Sequence, residues 1–191
     1  IEIKKYPKLI EIGSKRNDTQ VKNTRSKKFR GKPHEGHYTQ EDIKEIVQFA
    51  RERFITVVPE IEIPGHSQAA IAAYPELGCT GKQFEVATKF GIMDVVYCPG
   101  KDKTFQFWYD VLDEVMELFP SKIIHTGGDE VPKTYWKECP YCQKRIKEEG
   151  LKDEEELQVF VTNTIASYLA SKGRRLMGWN EILDEGLELN A

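Results

Sequence analysis

The sequence predicts an α/β fold built on parallel strands, and two observations carry that prediction. Three segments with apolar residues at helical spacing are each followed by a short apolar run, the order of repeated helix–strand units. The carboxylates and glycines gather just after those runs, where parallel α/β folds place their active sites.

In the first unit, Thr39 is suited to cap a helix over 40–52, with Asp42 three residues on to complete a capping box. Ile43, Ile46, Val47 and Ala50 form its apolar stripe. Phe54-Ile55-Thr56-Val57-Val58 then reads as a buried parallel strand closed by Pro59. The second unit carries Phe107, Val111, Leu112, Val115 and Leu118 on one face of a helix over 104–118, which Pro120 stops. Ile123-Ile124-His125 is its strand. The third pairs a helix over 155–171, with Leu157, Phe160, Val161, Ile165 and Leu169 inward, with a strand at Arg175-Leu176-Met177-Gly178-Trp179. Gly173 ends that helix. This pattern fits a β/α barrel or a doubly wound sheet and does not choose between them.

Composition is that of a folded domain: 191 residues, 39% hydrophobic and 31% charged. The formal net charge of −3 argues against nucleic acid as a partner. No apolar run approaches the roughly 18–20 residues that cross a bilayer, so no membrane-spanning helix is expected. Lys22 to Lys32 places six Lys or Arg in eleven residues, interleaved with Asn23, Thr24, Ser26 and Gly31, and reads as a solvated loop. Of four cysteines, Cys139 and Cys142 form one CxxC knuckle. A zinc site needs four ligands and a second knuckle is absent, so a structural turn or local disulfide is the first reading, with metal and redox roles as alternatives.

The sharpest chemical signal is His125-Thr126-Gly127-Gly128-Asp129-Glu130. At a strand end that turns, two adjacent carboxylates can lean into one pocket, and Gly127 and Gly128 leave room for a ligand beside the backbone. Close carboxylates resist joint ionisation, so one is pushed towards an acid that works near neutral pH, as glycosidases require.

His-x-Gly-Gly-Asp-Glu after a strand resembles the signature of family 20 glycoside hydrolases, the β-N-acetylhexosaminidases. Three further segments are similar to that family in the same order: Ile1 to Pro7, Val57 to His66, and Gly178 to Leu183. The resemblance implies a (β/α)₈ TIM barrel of which residues 1–191 supply only the middle, about strands 3 to 5 with their helices. A complete barrel takes about 250 residues. The first two strands are then expected before Ile1, with an aspartate that partners His66, and the last three beyond Ala191. The piece alone is expected to be inactive.

The resemblance further implies removal of terminal β-linked GlcNAc or GalNAc from glycans, without cofactor or metal. Glu130 matches the general acid. Asp129 matches the carboxylate that steadies the substrate's 2-acetamido group, whose oxygen attacks the anomeric carbon to form an oxazolinium ion. Trp179 matches an aromatic wall of the acetamido pocket, and His66 a histidine that supports the acid. His125 is expected to pack or hydrogen-bond below the pocket, while Glu60, Glu62 and Glu181 have no assigned role. The habit of glycan-degrading enzymes places the protein outside the cytoplasm, periplasmic or secreted. Two rivals remain: a non-catalytic carbohydrate-binding module, and a metal-dependent hydrolase using His66, His125, Asp129 and Glu130 as ligands.

Overall fold

The computed structural model describes residues 1–23 and 25–183; Thr24, in the basic stretch, lies outside the described residues. The elements run α1 (Lys8–Glu11), β1 (Lys15–Arg16), β2 (His34–Glu35), α2 (Gln40–Arg51), α3 (Gln68–Ala73), α4 (Asp102–Leu118), β3 (Ile123–His125), α5 (Thr134–Glu138), α6 (Pro140–Glu148), α7 (Glu154–Ser171) and β4 (Arg175–Met177). Single 3₁₀ turns occupy Pro75–Leu77 and Asn180–Ile182.

Both long expected helices form because their apolar faces find a core. α4 buries Phe105, Phe107, Trp108, Val111, Leu112, Val115 and Leu118. α7 turns Val161, Ile165 and Leu169 into the same cluster, together with Ile124 of β3, Ile71 of α3, and Ile63 and Tyr97 from the connecting segments. The start of α7 is set by Asp153, whose carboxylate accepts the Glu155 and Glu156 N–H groups at 3.0 Å. The capping box of α2 is present, with the Thr39 and Asp42 side chains each accepting the other's backbone N–H. The carbonyls at the end of α4 find Arg174, whose guanidinium donates to Met116 O (2.9 Å), Phe119 O (3.0 Å) and Ser121 O. That one side chain ties the end of the second helix to the start of the third strand.

β3 and β4 pair in parallel, with Ile123 opposite Arg175 and His125 opposite Met177. The first expected strand is displaced. Phe54–Val58 is not hydrogen-bonded as a strand, and Phe54 is 99% exposed. Pairing to β3 begins only at Pro59, whose carbonyl accepts the His125 N–H at 2.9 Å. Ile61 N–H then donates to His125 O (2.8 Å) and Ile63 N–H to Thr126 O (2.9 Å). Proline, which lacks an N–H, opens this paired stretch rather than closing it. The ladder to β3, not the apolar run, fixes where the strand begins, and the run has no neighbouring strand among the described residues. In the extended stretch side chains alternate, so Ile61 and Ile63 pack on the core while Glu60 and Glu62 share the opposite face.

The basic stretch lies within a mostly exposed ribbon, where Lys15 pairs with Glu35 and Arg16 with His34 in antiparallel register. The buried Gln20 docks the ribbon on a later loop: its N–H donates to Thr88 O, and its Oε1 accepts the Phe90 N–H.

Candidate active site

Three loops converge at the C-terminal ends of the paired strands: Ile63–Ser67, Thr126–Val131 and Gly178–Leu183. Glycines let them touch. A Cβ at Gly65 would stand 2.9 Å from Asp129 O, and one at Gly178 would stand 2.8 Å from Gly127 O, both closer than real Cβ contacts. Gly127 and Gly128 adopt φ of 66° and 91°, the left-handed region that L side chains avoid. Their open flanks do not hold space for a ligand. A Cβ on Gly127 would overlap the Glu62 carboxylate, and one on Gly128 would overlap the Ile182 side chain. The double glycine therefore accommodates the protein's own groups, a correction to the sequence expectation that only side-chain placement could supply.

Asp129 and Glu130 stand at the end of this turn, with Glu130 itself at φ 51°. His66, at φ 46°, faces both: its Nε2 lies 3.4 Å from Asp129 Oδ2 and 3.4 Å from Glu130 Oε2. Left-handed non-glycine residues are costly, and two of them here mark a geometry held by its surroundings. His66 Nε2, Asp129 and Glu130 are close enough to hold a cation, but His125 is turned elsewhere. Its ring is buried edge-on against Trp179, with centroids 5.1 Å apart. The His125 Nδ1 lies 3.1 Å from both the Gly127 N–H, which donates to it, and Glu60 Oε1. It can accept the first or donate to the second, not both at once.

Trp179 is half exposed; its indole N–H donates to Glu60 Oε1 at 3.1 Å and its backbone N–H to Gly127 O at 2.9 Å. Glu60 thus links Trp179 to His125. Glu62, on the same face, is the carboxyl whose affinity for a proton the site raises, to about 7, chiefly through burial and then through the Asp129 charge. Its Oε2 and the Oδ1 of Asp129 are both buried without a hydrogen-bond partner among the described residues. Beneath Glu60, Glu62 and His66 a cavity of about 260 Å³ reaches Tyr97 and Trp108 in the core.

Sequence reasoning left Glu60 and Glu62 without roles, although the alternation Glu60-Ile61-Glu62-Ile63 already placed both on one strand face. It missed Gln158 altogether. That residue sits on the buried side of α7 and donates to Gly128 O at 2.7 Å, while its Oε1 accepts from Lys133 Nζ. Lys133 also donates to Val131 O at 3.0 Å, so the loop bearing the two carboxylates is held from the helix side. A glutamine on a mostly apolar helix face was the available signal.

The Glu62 shift has a pH consequence. Its folded-state pKa lies above the ordinary carboxylate value, so between the two the folded protein keeps a proton that the unfolded chain releases. Stability contributed by the neutral carboxyl is present at low pH and lost as pH rises through about 7. Glu62→Gln is expected to flatten the fall in thermal midpoint between about pH 5 and about pH 8; an unaltered pH profile would remove Glu62 as its source.

Residues 1–191 match the catalytic domain of glycosyl hydrolase family 20. The chain is 49% identical over its whole length to a beta-hexosaminidase of Porphyromonas gingivalis, covering 23% of that protein. Among solved structures it superimposes on a beta-N-acetylhexosaminidase with a TM-score of 0.86 at 37% identity, over 93% of this chain and 36% of the other. The beta-N-acetylhexosaminidase of Bacteroides fragilis matches with a TM-score of 0.75 at 44% identity, over 95% and 33% respectively. The chain therefore spans about a quarter to a third of these relatives. The three convergent strand ends, with paired carboxylates on the middle one, are thus a segment of a (β/α)₈ barrel, and the chain belongs to the catalytic domain of glycoside hydrolase family 20.

Proposed function

We propose that the protein containing this chain is a retaining exo-glycosidase that releases terminal β-linked N-acetylhexosamine by substrate-assisted catalysis. The observation that carries this reading is Asp129 Oδ1, a buried carboxylate oxygen without a partner among the described residues, beside a solvent-facing Glu130. An acetamide N–H is the donor it lacks. Hydrogen-bonded there, the acetamide carbonyl oxygen is turned towards the anomeric carbon.

Glu130, as the neutral acid, gives its proton to the glycosidic oxygen while the acetamide oxygen attacks C1 and the aglycone leaves as an alcohol. The oxazolinium ring carries the positive charge, which the Asp129 carboxylate stabilises in a site already arranged for it. Glu130, now a carboxylate, takes a proton from water as the water attacks C1. The ring opens, and the second inversion restores the β configuration. The intramolecular nucleophile needs no protein counterpart, since its effective molarity is high. His66, 3.4 Å from both carboxylates, can steady Glu130 as its charge changes, and the exposed face of Trp179 offers an apolar wall to the acetamide methyl. The 191-residue piece alone is proposed to be inactive, and the whole protein to act outside the cytoplasm, where such glycans are met.

The test is release of 4-nitrophenol from the 4-nitrophenyl β-glycosides of GlcNAc and GalNAc by the full-length protein, with a thiazoline mimic of the oxazoline as inhibitor. Turnover blocked by the thiazoline is expected. Silence on both substrates, with the sugar still bound, would move the protein to the carbohydrate-binding modules.

A further inference from the structure

The four cysteines, scattered over 64 positions of sequence, meet in space. Cys98 Sγ lies 3.6 Å from Cys139 Sγ and 3.6 Å from Cys142 Sγ, and Cys79 Sγ lies 3.8 Å from Cys142 Sγ. All four sulfurs fall within 4.8 Å of one another. The second knuckle, missing from the sequence, is assembled by the fold. Cys79 follows the 3₁₀ turn at Pro75–Leu77, and Cys98 is brought beside it by the Gly78–Tyr97 bridge and a Cys98 N–H to Leu77 O bond of 2.8 Å. Cys139 and Cys142 lie at the start of α6.

These separations decide between the chemistries open to four thiols. A disulfide needs sulfurs about 2.05 Å apart, and all four cysteines are free. Ligands at about 2.3 Å around one tetrahedral ion stand about 3.8 Å from each other, and the 3.6–3.8 Å of the Cys98–Cys139, Cys98–Cys142 and Cys79–Cys142 pairs matches that spacing. An iron–sulfur cluster would need room for bridging sulfides between sulfurs that here already touch. We propose that Cys79, Cys98, Cys139 and Cys142 bind a single Zn²⁺ as a structural Cys₄ site. This goes beyond the glycosidase reading and does not depend on it.

The surroundings suit that role. Cys98, Cys139 and Cys142 are buried, and with Val96, Trp136, Ile146 and Leu157 they form a second core apart from the main one. Lys101 brings positive charge to the same place, donating to Gly78 O at 2.6 Å and Glu76 O at 3.0 Å. Gly100 fits where it does because any Cβ would overlap the Tyr141–Cys142 backbone, so the Cys98 turn lies directly on the α6 N-terminus. One ion would fasten the 79–98 excursion, which has little regular structure, to the α5–α6 turn that follows the Asp129–Glu130 loop. Tyr97, beside Cys98, anchors the other end by donating its N–H to Pro64 O at 3.2 Å, two residues from His66.

The experiment is metal analysis of the full-length protein purified without chelators or metal-affinity resins. One zinc per chain is expected, released by a mercurial thiol reagent. Growth with cobalt should give the strong red-region and thiolate charge-transfer absorption of tetrahedral Co²⁺. Cys98→Ser should lower zinc content at least about tenfold, and Cys79→His, which keeps a ligand, should retain it even if the serine variant fails to fold. Four freely reactive thiols with no bound metal, a disulfide detected by mass, or iron in place of zinc would each overturn the assignment.

Discussion

Glu130→Gln in the full-length protein is expected to lower kcat by about 10²–10⁴-fold, the usual worth of a positioned general acid. Glutamine keeps the shape and the closeness to His66 but has no acidic proton to deliver to the glycosidic oxygen. The loss should depend on the leaving group. A 4-nitrophenolate departs with little protonation, whereas a sugar alkoxide does not, so a disaccharide substrate should suffer more than the aryl glycoside. Comparing kcat for the two substrates in wild type and variant measures this directly. Equal, small losses on both would show that Glu130 is not the acid.

Asp129→Asn should cost about 10²–10³-fold in kcat, comparable to removing one preorganised electrostatic contact from a transition state. The side chain stays the same size, yet the anion proposed to face the oxazolinium charge is replaced by a neutral amide, whose NH₂ group can repel the acetamide N–H if it is the group turned towards it. Because that charge develops only as the ring forms, kcat and kcat/KM should fall together. A rise in KM at unaltered kcat would reduce Asp129 to ground-state binding. Thiazoline affinity provides a second readout, since the inhibitor resembles the charged ring and should bind the variant more weakly.

The two variants also separate the pair's roles. Glu130 is exposed, as the proposed acid must be to meet a leaving group and a water, while one oxygen of Asp129 is buried. The same turn provides both environments because Gly127 and Gly128 let the chain reverse between strand and carboxylates.

Much of this was legible from local pattern. The helices over Gln40–Arg51, Asp102–Leu118 and Glu154–Ser171 follow from apolar spacing and caps, and the strands Ile123–His125 and Arg175–Met177 from short apolar runs after them. Those signals are local: a period of 3.6 or 2 and a capping side chain act within a few residues of themselves. The Asp129–Glu130 pair stood out for the same reason, lying next to each other after a glycine turn. What tertiary structure alone decided is everything that depends on which distant segments meet. The first strand pairs from Pro59 rather than Phe54, since the ladder to β3 sets the register. The space beside Gly127 belongs to Glu62, whose proton affinity rises because burial and Asp129 surround it. The single CxxC at Cys139–Cys142 gains Cys79 and Cys98 only when the loop between them folds back onto α6. Electrostatic and metal-binding properties fall off steeply with distance, so residues about 40 to 70 apart in sequence acquire them only through the fold that places them a few ångströms apart.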